Sequence, residues 1–194
     1  GCDVLWLPNV ESMYPFGVDL ASRVHVPGVS AVLEGACRPG HFDGVCTVVS
    51  RLFHQVLPDL AAFGRKDYQQ LAVIRQLVAD LHFPIQIIGG AIVREADGLA
   101  MSSRNQYLGP DERPRAAVIH QVLQAMRQAH LDGAPRTALE AQAGTQLQAA
   151  GFLVDYAALR RPDLSVPDEG EAGPKVALVA ARLGTTRLID NLEF

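Results

Sequence analysis

The chain has 194 residues, a formal net charge of -4, 48% hydrophobic and 20% charged residues, and a mean hydropathy of +0.11. This describes a globular protein with a sizeable core and excludes a disordered or collagen-like chain. The mild acidity gives no global support to a nucleic-acid partner, the apolar runs fall short of the roughly 20 residues that span a bilayer, and three cysteines cannot all pair, which points to a reducing, cytoplasmic setting.

Residues 3–7, Asp-Val-Leu-Trp-Leu before Pro8, read as a buried strand that ends at a breaker, and the sequence opens as if in mid-domain. A loop over residues 8–17 and an extended piece over 22–26 follow. Phe42, Val45, Val49, Leu52, Phe53 and Val56 recur at helical spacing, which predicts an amphipathic helix over 43–57 closed by Pro58. A short strand over 60–63, a turn at Gly64, a helix striped by Leu71, Ile74, Val78 and Leu81, and a strand over 85–88 complete the grammar of a parallel sheet with crossover helices.

After about Ile92 the grammar changes. Gly109 and Pro110 open a helix striped by Ile119, Val122, Leu123 and Met126, with Gly133 as its stop. Thr137 and Glu140 have the spacing of a capping box at the head of the next helix, which Gly151 ends. Residues 154–159, 176–183 and 187–192 read as strands, with a hairpin turn at Gly184-Thr185-Thr186 and a polar loop over 162–174. The expected division is an α/β part over 1–92 and a smaller α+β part, two helices plus antiparallel strands, over 93–194.

Three segments carry residues suited to chemistry. The first is Gly64-Arg65-Lys66-Asp67-Tyr68-Gln69-Gln70 at a strand-to-helix junction, where free backbone N–H groups and the helix dipole favour an anion and Lys66 adds a mobile charge. With a helix starting near Asp67, Gln70 falls one turn from Lys66 and can meet the same ligand. Plain first-turn charges, with Asp67 as a cap, fit these residues equally well. The second is Met101-Ser102-Ser103-Arg104-Asn105, whose two hydroxyls and guanidinium suit an anionic oxygen cluster but also fit a simple turn with local side-chain bonds. The third is the loop from Glu34 through Arg38 to His41. Cys37, His41 and Cys46 match no ordinary zinc spacing, so no metal site is expected; Glu34 lacks a paired carboxylate, and His25, His54, His82, His120 and His130 read as structural or solvated. Neither a glycine-rich dinucleotide fingerprint nor a P-loop occurs.

Taken together, Glu34-Gly35, Arg38 to Phe42, Gly64 to Leu71, Ser102 to Asn105 and Arg187 to Asn191 resemble, in order and over essentially the whole chain, the pantothenate synthetase (pantoate:beta-alanine ligase) family. The resemblance implies a Rossmann-like nucleotidyltransferase domain, a parallel sheet with crossover helices of which residues 1–92 are the C-terminal part, followed by a small α+β domain. It implies a cytoplasmic homodimeric ligase that condenses pantoate with beta-alanine through a pantoyl adenylate, using ATP with magnesium and no tightly bound organic cofactor. Carried over by position, Lys66, Ser102 and Arg104 would be catalytic, and Gly64, Arg65, Lys66, Asp67, Val93, Met101, Ser102, Ser103 and Arg104 would contact ATP. Gln70 would hold pantoate; Arg38, His41 and Phe63 are candidates to line the same cleft. Two departures stand out. Arg65 replaces a usual acid, which adds positive charge near the phosphates, and the family's upstream His-x-Gly-His segment, with its proposed acid, is not in these residues. The chain is therefore expected to be the C-terminal two-thirds of the enzyme and to form no pantothenate by itself. A nucleotide-binding or dimerising module, and a different adenylyltransferase, are the rival readings.

Overall fold

A strand exists only beside another, and that decides the first half of the chain. The computed structural model describes residues 1–194. β1 (Leu60–Gly64) and β2 (Gln86–Gly90) pair in parallel, with Leu60 opposite Gln86 and Gly64 opposite Gly90. Short helices α1 (Val10–Met13) and α2 (Glu34–Cys37) precede α3 (His41–Val56), and α4 (Tyr68–Asp80) is the crossover from β1 to β2. Phe42, Cys46, Val49 and Phe53 of α3 meet Val73, Ile74 and Leu77 of α4 in one core. The last three are at most 1% exposed; complete burial of such a side chain contributes about 1.5–3 kcal/mol.

The strand expected over residues 3–7 from its apolar composition does not form, and the extended piece over 22–26 joins no sheet. Residues 3–7 have no ladder partner, and Val4, Leu5 and Leu7 are 75–79% exposed. Residues 22–26 attach to a helix instead: the Val24 N–H donates to the Thr47 hydroxyl at 2.9 Å while Val26 enters the core. The parallel sheet thus has two strands rather than three.

The second half is built differently. α5 (Glu112–Ala116), α6 (Val118–Leu131) and α7 (Arg136–Ala149) precede an antiparallel sheet in the order β3 (Leu153–Arg160), β4 (Val176–Leu183) and β5 (Thr186–Glu193). The helix expected to start at Gly109-Pro110 begins at Glu112, whose carboxylate takes the Gly109 N–H at 2.9 Å. The α7 start differs from a capping box. Pro135 is the cap residue, the Arg136 N–H donates to Glu169 at 2.8 Å, and Glu140 serves β3 by accepting from the Leu159 N–H and from Arg160. Both Glu140 oxygens are thereby taken, Oε1 by β3 and Oε2 by the Arg136 guanidinium at 2.7 Å. Leu123, Met126, Leu139 and Leu147 pack on Val179, Ala181 and Leu183 to form the larger core. A third cluster, Tyr68 with Leu164, Val176 and Leu178, joins α4 to β4. No helix is long and apolar enough to cross a membrane.

Candidate functional site

Where β1 ends, a single 3-10 turn, Arg65–Asp67, redirects the chain into α4. Opposite lie β3, β4 and β5, and between them runs a cleft of about 200 Å³ lined by Lys66, Asp67, Gln70, Glu34, Arg38, His41 and Arg104 among others. Asp67 sits at the cap position of α4 but makes no capping bond, so its carboxylate is left facing the cleft. Gly64 ends β1 with open space where a side chain would stand. The head of α4 thereby presents N–H groups beside Lys66, the arrangement that suits an anion.

The loop from the second half reaches the same place. Ser102 is extended and caps the 3-10 helix Ser103–Tyr107 by accepting the Arg104 N–H at 3.2 Å. Ser102, Lys66 and Arg104 share a narrow cavity, and Arg104 also borders a wider one of about 420 Å³ with Arg38 and Arg187. Lys66, Ser102 and Arg104 are therefore brought together, and Gln70 lines the main cleft with Lys66 and Arg104.

Other expected residues lie further out. Val93 and Met101 are joined by a 2.9 Å backbone bond, their side chains are at least half exposed, and neither borders these cavities; nor does Ser103. Phe63 turns to the core, edge-on to Phe53 at 6.3 Å. Arg65 does not add its charge to the cleft: its guanidinium donates to Glu193 at 2.8 Å and to the Gly89 carbonyl at 3.3 Å.

Arg38 and His41 do line the cleft, and they touch each other. The Arg38 guanidinium donates to His41 Nε2 at 3.3 Å, which needs a neutral ring with its proton on Nδ1. Burial, the nearby Arg38 and the more distant Arg104 hold the His41 pKa below the ordinary histidine value, in agreement with a neutral ring.

Residues that the sequence reading left without a role complete the walls. Glu34 is buried; desolvation raises its pKa, but hydrogen bonds from Arg187 and Tyr156 outweigh that and leave it below the usual carboxylate value. Arg187 also grips Asp155 at 2.6 Å, and Tyr156 donates its hydroxyl to Glu34 at 2.9 Å, its own pKa pushed up chiefly by burial. Asp190 and Asn191 are buried beneath Lys66. The available signal was charge in the wrong place: Asp155, Arg187 and Asp190 interrupt apolar strands, and a charge there requires a partner.

Comparison with known proteins finds relatives along the whole chain. A family model described as pantoate-beta-alanine ligase matches residues 1–193. The pantothenate synthetase of Xanthomonas campestris pv. campestris (strain B100) is 69% identical over 198 residues, an alignment that covers 100% of this chain and 70% of the relative. The crystal structure of pantothenate synthetase from Thermus thermophilus superposes with a TM-score of 0.91 at 46% identity, covering 99% of this chain and 70% of that one. A pantoate-beta-alanine ligase from Francisella tularensis, solved in complex with beta-gamma ATP and beta-alanine, gives a TM-score of 0.72 at 28% identity over 94% of this chain and 61% of that one.

Proposed function

This chain belongs to the pantoate-beta-alanine ligase family, and from that premise we propose that it joins pantoate to beta-alanine in two ATP-dependent steps. The pantoate carboxylate attacks the α-phosphorus of ATP, which forms pantoyl adenylate and expels pyrophosphate. The beta-alanine amine then attacks the acyl carbon, which forms the amide and expels AMP. Magnesium enters with ATP as part of the substrate, held by its phosphate oxygens.

The observation that carries this reading is the convergence of Lys66 and Arg104, from opposite halves of the chain, on one cleft that also holds Gln70. Two anions must be held together while charge builds on the leaving phosphates, and fixed cations and N–H donors answer that demand. Lys66, Ser102 and Arg104 face the phosphates, Gly64 to Asp67 form the turn beneath them, and Gln70 hydrogen-bonds pantoate. Val93, Met101 and Ser103 belong to the loop that flanks the nucleotide. In the same proposal residues 1–92 and 93–194 are two domains that together hold the substrates of a cytoplasmic homodimer, a setting that three free cysteines suit.

The test is pantoate-dependent exchange of labelled pyrophosphate into ATP. Lys66→Ala in the enzyme should lower it at least about a hundredfold, the scale of losing one charge partner in a transition state. Exchange at the parental rate with unchanged folding would overturn the assignment.

A further inference from the structure

We propose that Asn191 is a positioning residue for ATP, because its amide clamps the two peptide groups on either side of Lys66. The inference rests on the ATP-site reading above. Asn191 is 2% exposed, and its Nδ2 donates to the Arg65 carbonyl and the Lys66 carbonyl, each at 2.9 Å. Those carbonyls belong to the peptide planes 65–66 and 66–67. Since a peptide group is planar, holding both leaves the backbone torsions at Lys66 little freedom, and the side chain leaves the turn from a fixed point.

The clamp is itself anchored. The Asn191 N–H donates to Asp190 Oδ1 at 2.8 Å, and Asp190 receives Arg94 through both carboxylate oxygens, at 2.6 and 3.1 Å. Arg94 also donates to the Asn191 carbonyl at 3.2 Å and to the Gly98 carbonyl at 3.0 Å. A bridge between Arg94 and Ala100 then leads directly to the loop that bears Ser102 and Arg104. Lys66 and Arg104 carry like charges around one small cleft and repel each other. Their spacing is set by this buried network rather than by their own interaction.

An amide is a poor choice for a buried strand position unless its donors are needed. At Asn191 the need is one-sided: both donors are used, while Oδ1 is buried without a partner. Its orientation answers to the two carbonyls of the Lys66 turn.

The experiment is a double-mutant cycle in the enzyme between Asn191→Ala and Lys66→Ala, read in pyrophosphate exchange and in ATP affinity by calorimetry. Asn191→Leu, which fills the same space without donors, runs in parallel. Either Asn191 variant should lower exchange by about a hundredfold, the scale of a displacement near 1 Å at a reacting group. Combined with Lys66→Ala, either should add less than about twofold, because its effect passes through Lys66. Full additivity would overturn the inference and make Asn191 a general support of the fold. Unfolding of both Asn191 variants would overturn it for the same reason. Parental activity in Asn191→Ala with a damaged Lys66→Ala would overturn it while leaving the ATP-site reading intact. A parental Lys66→Ala would remove that reading, and the inference with it.

Discussion

Arg187 of β5 grips Glu34 of α2 with both terminal nitrogens, at 2.8 and 2.6 Å, across 153 positions of chain. Both side chains are nearly buried, 13% and 11% exposed, so water screens the pair poorly. Removing one partner leaves the other charged and desolvated. Arg187→Met takes the guanidinium from both Glu34 and Asp155, leaving them only the Tyr156 hydroxyl and the more distant Arg182, and should destabilise the protein by about 3–5 kcal/mol, whereas Glu34→Gln, which leaves Arg187 with Asp155, should cost less. Urea titrations of the two variants give the comparison.

The same pair fixes an acid dependence. The Glu34 pKa is lowered in the fold from an ordinary 4.5, so its contribution is complete above that value and is lost as pH falls through the lower folded value. The stability gap between the parent and Glu34→Gln should therefore hold from neutrality to about pH 5 and close at more acid pH. A gap that closes instead between about pH 6 and 8 would point to another group, such as a histidine.

The Gln70 side chain lines the cleft and forms no hydrogen bond within the protein, so its amide is available to a ligand that offers hydroxyls and a carboxylate. Gln70→Ala should weaken pantoate about tenfold or more, equivalent to one or two neutral hydrogen bonds, with ATP affinity little changed. Separate calorimetric titrations decide: loss of ATP binding with pantoate binding retained would move Gln70 to the nucleotide site.

Its neighbour Gln69 has the opposite task. That side chain donates to the Val29 and Val32 carbonyls at 2.8 and 2.7 Å and accepts the Glu34 N–H at 2.9 Å, tying the loop before α2 to α4. Gln69→Leu should destabilise the fold by about 1–3 kcal/mol for each buried group left unpaired, with less than full addition. Gln70→Ala should leave the denaturation midpoint nearly unchanged.

Gly35 allows the backbone to pass where no side chain fits. A Cβ at this position would stand 1.7 Å from the Ser30 carbonyl oxygen, and backbone cannot yield as a flexible side chain does. Gly35→Ala should cost at least about 1–3 kcal/mol, and it should disturb the Glu34–Arg187 pair next to it. A midpoint equal to the parent's would show that the loop over residues 30–35 can relax.

The contrast between Gln69 and Gln70 shows why the sequence is legible only in part. Strand β4 was readable from end to end because Val176 to Ala181 are all buried, so a continuous apolar run and its environment agree. Residues 3–7 carry an equally apolar pattern, yet strand formation depends on a neighbour that the pattern does not encode. Lys66, Ser102 and Arg104 could be picked out by residue type beside turn signals. The partners of Tyr156, Arg187 and Asn191 could not, because those contacts cross more than a hundred positions of chain, even where a charge in an apolar strand marks Arg187 as needing one. Glu34 was readable as an acid in a loop but not as a partner for Arg187.

The small cluster of Tyr68, Leu164, Val176 and Leu178 lies under the cleft as well as between the two larger cores, and the Tyr68 hydroxyl donates to the Pro162 carbonyl at 3.1 Å. Neither large core can melt without stripping this shared floor of part of its packing. Heating should therefore produce one endotherm, with calorimetric and van't Hoff enthalpies in agreement. A nucleotide bound above that floor would shift the whole transition upward by mass action rather than protect one half alone. The floor that shapes the cleft thus makes occupancy of the cleft a determinant of how long the entire chain survives heat.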